Sequence, residues 1–275
     1  MSATAATRFS SGLAAALLLA LAACSDDPAE QLASNQVDPA EFSAAPACVQ
    51  RSFEGSAFTI CPFDLATDEL RLAWRGPDGR PLRSLTALEQ SLGPRASDVR
   101  FAMNAGMYDQ EGDPIGLFVE EGEERKSLNT SEGAGNFHLL PNGVFAVDAK
   151  GRVSVTPATS FRKEVPSPRW ATQSGPMLVI DGKLHPKFDA NGASQLVRNG
   201  VGVKDPGTAY FVISEEGVSF GRFARLFRDA LGCKDALYLD GSVSSLWDPG
   251  AGRQDAFSDL GPMVVAFRRA PSSGR

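Results

Sequence analysis

Short apolar runs that alternate with polar residues recur along the chain from about Ala47 onwards. Each run ends at Gly, Asp, Asn or Pro, residues that favour turns. Apolar residues at every second position are typical of β-strands with one buried face. The pattern predicts strands at Phe58–Ile60, Leu70–Trp74, Val99–Met103, Gly116–Val119, Val144–Val147, Arg152–Val155, Met177–Ile180, Tyr210–Ile213, Leu237–Leu239 and Met263–Phe267.

Helical spacing is rare by comparison. Apolar residues three and four apart predict a helix over Phe220–Leu231, with Ser219 and Gly232 as its caps. Thr86 and Glu89 have the spacing of a capping box for a short helix that ends at Gly93. We therefore predict an α+β fold: a strand-rich single domain of mixed or antiparallel sheet with a few covering helices.

An unbroken apolar run, Leu13–Ala23, lies near the start of the chain and is too short to span a bilayer. It ends in Leu21-Ala22-Ala23-Cys24, which resembles the lipobox of bacterial lipoproteins. We predict a signal peptide over residues 1–23, acylation of Cys24, and a flexible tether over residues 24–46 that is rich in Ala, Ser, Asp, Glu and Pro. The folded domain is predicted over residues 47–271.

A lipid at Cys24 predicts a protein anchored in the bacterial cell envelope and facing the periplasm. Ser25 rather than Asp follows the cysteine, which favours the outer membrane. The alternative is an ordinary secretory peptide that happens to contain a cysteine. Labelling with a radioactive fatty acid distinguishes the two, because an unlabelled protein excludes the anchor.

The composition limits the kinds of partner that this protein is expected to bind. The 275 residues carry a formal net charge of −6, and no block of Lys and Arg is present, so we expect no nucleic-acid partner. In an oxidising compartment the close pair Cys48 and Cys61 is predicted to form a disulfide. Cys233 is then unpaired, either a buried inert thiol or a reactive one. No cysteine or histidine spacing indicates zinc, and we expect no cofactor. Asp109, Asp113 and Asp240 lie in glycine-rich segments and leave a divalent cation open, although no calcium-loop spacing is met.

Three polar, glycine-containing segments are candidates for chemistry because each adjoins a predicted strand. They are Asn104–Tyr108, Thr172–Pro176 with Arg198–Gly202 downstream, and Asp240–Ser245. Glycine lets the backbone turn sharply and approach a ligand closely, and hydroxyls and amides bind sugar or phosphate oxygens. Taken singly, each segment is also explained by ordinary turn chemistry.

Taken in order, the segments resemble the phosphodiester glycosidase family. The pattern is Asn-x-Gly, then Gln-Ser-Gly-Pro, then Arg-Asn-Gly-Val-Gly, a helix, and Leu-Asp-Gly-x-x-Ser-Ser, over about Val99–Arg268. A bacterial branch is matched by Gly116–Val119, Gly135–His138 and Pro141–Phe145. Two positions depart from the family pattern, since Ala105 and Ser242 stand where the family has glycine.

The resemblance implies a hydrolase that cleaves the bond between a sugar C1 and a phosphodiester. On this interpretation the catalytic residues are Asp240, as base or nucleophile, and Arg198, as a bidentate phosphate clamp. The implied substrate-binding residues are Asn104, Gly106, Gln173, Ser174, Gly175, Asn199, Gly241, Ser242, Ser244, Ser245 and His138.

Other interpretations remain open at this stage. His185 is expected to be structural. A serine hydrolase is disfavoured because no Gly-x-Ser-x-Gly elbow is present. The rival from another class is a non-catalytic envelope lipoprotein that binds a glycan or a sugar phosphate in the same pocket.

Overall fold

The structure is a computed structural model that describes Met1 and residues 46–269. The predicted signal peptide, the acylated Cys24 and the tether fall outside these residues, apart from Met1 and Pro46. Between residues 46 and 269 the chain forms seventeen strands. They are β1 Val49–Phe53, β2 Ser56–Asp64, β3 Asp68–Ala73, β4 Val99–Asn104, β5 Phe118–Glu120, β6 Glu123–Lys126, β7 Gly143–Asp148, β8 Val153–Pro157, β9 Pro168–Ser174, β10 Met177–Ile180, β11 Lys183–Leu184, β12 Asn199–Asp205, β13 Thr208–Ser214, β14 Asp235–Tyr238, β15 Leu246–Asp248, β16 Arg253–Gln254 and β17 Met263–Arg268.

The strands form three antiparallel sheets. The seven-stranded sheet has the order β1-β2-β13-β12-β14-β10-β11. The β4 sheet has the order β16-β15-β4-β17-β3, and the β7 sheet has the order β6-β5-β9-β7-β8. The sequence predicts hairpin turns at Asp148–Gly151 and at Asp181-Gly182. Both hairpins are confirmed, since β7 pairs with β8 and β10 pairs with β11.

Three helices accompany the sheets in the described part of the chain: α1 Leu85–Leu92, α2 Ala158–Glu164 and α3 Phe220–Arg225. A π-helical turn, Leu226–Ala230, continues α3. Each helix packs its apolar side chains against one sheet: α1 against the β4 sheet, α2 against the β7 sheet and α3 against the seven-stranded sheet. None of the helices among the described residues combines the length and the apolar character needed to cross a bilayer.

Helix caps were predicted with mixed success. Ser219 caps α3 as expected, because its side chain accepts a hydrogen bond from the Arg222 amide. The capping box at Thr86 is wrong: the residue before α1 is Ser84, whose Oγ accepts from the Ala87 amide at 3.0 Å. A serine hydroxyl two residues earlier in the chain performs the same task.

One apolar core joins the three sheets. The ring of Phe211 on β13 lies 5.4 Å from that of Phe101 on β4 and 5.5 Å from that of Phe145 on β7, measured between centroids. All three rings are buried. Aromatic pairs at such distances add to the stabilisation from burial alone. The α+β prediction of a strand-rich domain is confirmed.

The predicted disulfide is confirmed. Cys48 and Cys61 are bonded, and their Cα atoms are 4.2 Å apart. The bond ties the residue before β1 to the strand with which β1 pairs. Cys233 is a free, buried thiol, and burial raises its pKa well above the ordinary range.

The segment Arg198–Gly202, grouped with loops in the sequence, is mostly strand. From Asn199 it forms β12, in the middle of the seven-stranded sheet. Its glycines allow close packing: a Cβ on Gly200 would lie 2.8 Å from the Leu237 carbonyl, and one on Gly202 would lie 2.6 Å from Cys233 Sγ. Glycine within a strand marks such close approach as readily as it marks a turn.

Candidate active site

The candidate site lies where ends of strands from all three sheets meet. Asn104 ends β4, Ser174 ends β9 and Asn199 begins β12. Asp240 follows β14 by two residues, and Ser245 directly precedes β15. Antiparallel pairing within each sheet, together with the shared core, brings these distant stretches of sequence together.

Asn104 is the centre of the hydrogen-bond network and is completely buried. Its Nδ2 donates to the Asp240 carbonyl at 2.9 Å. Its Oδ1 accepts from Asn199 Nδ2 and from the Ser245 amide, both at 2.9 Å. A buried amide in an apolar core is tolerated only when its polar atoms are paired, and here both ends are.

Two further side chains hold the backbone on either side of Asp240. Asn199 Oδ1 accepts from the Asp240 amide at 3.0 Å. The Ser174 hydroxyl donates to the carbonyl of Leu239. With Asn104 bonded to the Asp240 carbonyl, the peptide groups before and after this residue are fixed by side chains from three sheets. The position of the carboxylate is therefore set by the whole fold.

The Asp240 carboxylate itself is half-buried. Its Oδ1 accepts one hydrogen bond, at 3.2 Å, from the Ser242 amide. Burial raises the pKa of Asp240 to about 6, and the bond from Ser242 opposes the shift. A carboxyl with a pKa near the operating pH can act as a base, a nucleophile or an acid.

Two tyrosines near this carboxylate carry no role in the sequence interpretation. The pKa values of Tyr108 and Tyr238 are raised by burial first, and the charge of Asp240 adds to both shifts. Tyr108 belongs to the first glycine-containing segment, and its hydroxyl donates to the Asp259 carbonyl. Tyr238 lies on β14, within the predicted strand Leu237–Leu239. Its position two residues before Asp240 was the signal that could have found it, because residues i and i+2 of a strand lie on the same face.

Arg198 lies close to this cluster, because its guanidinium carbon is 5.7 Å from the centre of the Tyr238 ring. The residue has 0% of its surface exposed. Its Nε donates to the Val218 carbonyl at 2.8 Å, and one Nη donates to the Ser194 carbonyl at 3.0 Å. The guanidinium carbon lies 3.6 Å from the centre of the Phe220 ring. The second Nη is buried and has no hydrogen-bond partner among the described residues. Since burial leaves no face of the guanidinium open to solvent, this geometry does not support a phosphate clamp.

The guanidinium instead acts on Tyr238. Its positive charge lowers the pKa of the Tyr238 phenol, which burial raises. The Tyr238 hydroxyl in turn accepts a hydrogen bond from the Gly241 amide at 2.7 Å. Gly241 directly follows Asp240, so Arg198 supports the turn that carries the carboxylate.

The side-chain amide of Gln173 is hydrogen-bonded to the protein backbone. Its Oε1 accepts from the amides of Leu117 and Asn129, both at 2.9 Å, and its Nε2 donates to the Asn129 carbonyl. It thereby holds the segment between β5 and β7 against β9. Gly106 and Gly175 also allow close packing: a Cβ on Gly106 would lie 2.7 Å from Thr172 Oγ1, and one on Gly175 would lie 2.8 Å from the Phe137 carbonyl.

The turn after Asp240 presents one hydroxyl that the described residues leave without a hydrogen bond. Ser244 Oγ donates to the Gly241 carbonyl at 3.1 Å and Ser245 Oγ to the Val243 carbonyl at 2.9 Å. Ser242 is exposed. Of the serines predicted to bind substrate on this turn, Ser242 has the geometry that best suits the role.

The histidines lie apart from the Asp240 network. The His138 ring is half-buried, with Nδ1 2.7 Å from the Ser131 carbonyl, so it is bonded within its own segment. His185 is 1% exposed, its Nε2 lies 3.2 Å from the Leu140 carbonyl, and its ring stacks on Phe188. Across residues 46–269, no three His, Cys, Asp or Glu side chains converge in an arrangement that could hold a metal ion.

Comparison with known proteins places this geometry in a family. The model of the phosphodiester glycosidase domain matches residues 97–256. The uncharacterized protein YigE of Escherichia coli (strain K12) is 35% identical over 196 residues, which cover 70% of this chain and 74% of that protein.

Two solved structures share the fold. A hypothetical protein from Synechocystis has a TM-score of 0.59 at 14% identity and covers 81% of this chain; this chain spans 61% of the length of that one. The catalytic domain of zebrafish N-acetylglucosamine-1-phosphodiester alpha-N-acetylglucosaminidase, auto-inhibited by its pro-peptide, has a TM-score of 0.55 at 14% identity and covers 83% of this chain and 85% of its own. The match over residues 97–256 and the identity to YigE show that the chain belongs to the phosphodiester glycosidase family.

Proposed function

We propose that this protein hydrolyses the bond between a sugar C1 and a phosphodiester, with Asp240 as its essential carboxylate. The proposed substrate resembles an N-acetylglucosamine-1-phosphodiester, on which the zebrafish relative acts by name. We place the protein in the cell envelope. Its folded domain, residues 47–271, would be anchored to the membrane through the predicted lipid at Cys24. The observation that carries the proposal is the half-buried Asp240 carboxylate, with its pKa of about 6, at the junction of the three sheets.

The reaction matches what a single carboxylate of this kind can do. Glycoside hydrolysis passes through an oxocarbenium-like transition state, in which one carboxyl protonates the leaving oxygen and another attacks C1 or activates water. A phosphodiester is already a weak base, so its departure needs little protonation. With a pKa of about 6, Asp240 is mostly ionised at neutral pH and serves as the nucleophile or the base.

The buried network supplies positioning. Asn104 and Asn199 bond the Asp240 peptide groups, and Ser174 bonds the preceding carbonyl. A carboxylate fixed in this way loses little freedom when the substrate binds, which is a large part of what positioning contributes to a rate. Ser242 is exposed and its amide donates to the carboxylate, and its hydroxyl is the group that we assign to a substrate oxygen.

Asp240→Asn tests the proposal. We expect roughly a thousandfold loss in the rate at which sugar is released from a GlcNAc-1-phosphodiester, since the amide is neither base nor nucleophile. Its matched control is Asp235→Asn, on β14: Asp235 is also a half-buried carboxyl whose pKa burial raises, but it accepts a hydrogen bond from the Asp181 amide, away from the network. The control should retain activity.

Each outcome has a distinct meaning. Full activity in a folded Asp240→Asn variant would show that Asp240 is not the essential carboxylate. Binding of the substrate by the unaltered protein, without any released sugar across a panel of sugar-1-phosphodiesters, favours the glycan-binding or sugar-phosphate-binding alternative. Unfolding curves for both variants show that any loss of activity is not a loss of fold.

A further inference from the structure

Three large apolar side chains are exposed in the stretch 46–269, and they cluster close to the candidate site. Phe257 is 85% exposed, Leu196 is 49% exposed and Val197 is 38% exposed. Single exposed apolar residues scattered over a surface need no explanation. Here Val197 and Phe257, far apart in sequence, line the same cleft, and Leu196 is the neighbour of Val197.

The cleft has a volume of about 630 Å³ and adjoins the turn that follows Asp240. Gly241, Ser242, Val243 and Ser244 form one of its walls. Ser242 connects the two sites, because its amide donates to the Asp240 carboxylate while the residue lines the cleft. A Cβ on Gly241 would lie 2.7 Å from the Val197 carbonyl, which shows how closely this wall is packed. Ser242 is thus the residue that the Asp240 carboxylate and the cleft share.

The charged groups of the cleft are already paired with one another. Arg253 contacts Glu215 at 2.6 Å and Asp255 at 2.9 Å. Asp255 also accepts the Leu246 amide at 3.0 Å. A charged or strongly polar ligand would have to break these contacts. What the cleft offers a ligand is apolar surface from Phe257 and Val197, next to the Ser242 hydroxyl.

We infer that this cleft binds an alkyl part of the group attached to the phosphate of the substrate. The inference rests on the proposed function, because it assigns the aglycone side of that same reaction. The sugar occupies the side of Asp240, the phosphate lies near Ser242, and the alkyl part packs on Phe257 and Val197. The enzyme then prefers phosphodiesters of an aliphatic alcohol over those of a small polar one.

The occupant is an alkyl group rather than a second sugar ring for a physical reason. A sugar ring that stacks on an aromatic side chain also needs partners for its hydroxyls, and the charged partners here are taken. Val197 lines the same cleft and adds apolar surface to that of the Phe257 ring. Removal of such surface from water stabilises the complex by an amount that grows with each methylene buried.

Two matched substrates test the inference: the methyl and the n-octyl phosphodiesters of GlcNAc-1-phosphate, each below its micelle concentration. We expect KM for the octyl ester to be about tenfold lower than that for the methyl ester. Phe257→Ser should abolish this ratio and leave the methyl ester unaffected. Phe257→Leu keeps an apolar side chain and should retain most of the ratio. With 85% of Phe257 exposed, neither variant endangers the fold.

Binding of n-octyl phosphate and methyl phosphate, measured by calorimetry on the same variants, makes the test independent of turnover. An octyl preference that disappears in Phe257→Ser and persists in Phe257→Leu supports the inference. Equal affinity of the unaltered protein for the two phosphates, or a preference that Phe257→Ser leaves intact, overturns it. If neither ester is hydrolysed, the proposed function fails, while the calorimetric ratio still decides the role of the cleft.

Discussion

Asp68, at the start of β3, and Asp240, after β14, are two carboxylates removed from water in different ways. Asp68 is 0% exposed, and one Nη of Arg100 contacts its two oxygens at 2.7 and 2.9 Å. Asp240 is half-buried, and among the described residues its carboxylate accepts only the Ser242 amide. The Asp68 carboxylate is paired with a cation, whereas the Asp240 carboxylate has no cationic partner among residues 46–269.

The difference separates a structural charge from the one that we propose to be reactive. The guanidinium of Arg100 occupies both oxygens of Asp68 in a fixed ion pair. Asp240 has no such partner among the described residues, and burial raises its pKa towards neutrality. Strongly perturbed carboxyls of this kind are concentrated at functional sites. The surroundings of the two groups, rather than the residue type, assign their roles.

The largest expected effect on stability comes from breaking the Asp68 pair. Asp68→Ala leaves Arg100, whose side chain is 17% exposed, without its partner, and should lower the free energy of unfolding by roughly 3 kcal/mol. Hydrolysis by the folded fraction should be unchanged. Urea unfolding checks the first expectation. Glu69→Ala, which breaks an exposed pair with Arg71, is the control and should cost less than about 1 kcal/mol.

A smaller effect is expected from the charge of Asp240 as pH changes. Its pKa is raised from 3.8 to about 6, so the folded protein binds this proton more tightly than the unfolded chain does. The ionised carboxylate therefore destabilises the fold, fully above about pH 6 and not at all below about pH 3.8. The shift corresponds to at most about 3 kcal/mol, and solvent screening of the half-buried carboxylate reduces this, so Asp240→Asn should be about 2 kcal/mol more stable than the unaltered protein at pH 8.

That advantage should shrink as pH falls from 6 towards 4, where Asp240 becomes protonated. Urea unfolding of both proteins across this range provides the measurement. Two stability curves that remain parallel would show that Asp240 has an ordinary pKa. The comparison with Asp68 would then lose its basis.

The smallest expected effect concerns Arg198. Because its guanidinium is buried and holds the Val218 and Ser194 carbonyls, Arg198→Met should disturb the turn after Asp240 without removing a substrate contact. We expect kcat to fall about tenfold and KM to stay the same. A raised KM with an unchanged kcat would instead restore the phosphate clamp that the sequence suggested. Steady-state kinetics on the GlcNAc-1-phosphodiester separates the two.

Much of the fold followed from the alternation of apolar and polar residues. The strands around Phe101, Phe145 and Phe211 and both predicted hairpins were found because a half-buried strand imposes a period of two. Strand β12 was missed, since Gly200 and Gly202 remove that alternation where other groups pack closely against the backbone. Helix α2 was also missed; at seven residues it is too short to show a clear period.

The candidate site was harder to predict than the fold. Polar residues at strand ends indicated Asn104, Ser174, Asn199 and Asp240, and the structure brings them together. Local sequence could not show that Arg198 stacks on Phe220, because burial depends on elements distant in the chain. For the same reason local sequence could not show that the Gln173 side-chain amide is hydrogen-bonded to the backbone of Asn129.

The junction of three sheets also dictates when during folding the site can exist. Strand β17 inserts between β3 and β4, and β4 ends in Asn104. Until Met263–Arg268 has left the ribosome and paired, Asn104 has no fixed place from which to hold the Asp240 carbonyl. A chain truncated before this strand would lack the proposed active site, however many of its earlier strands had formed.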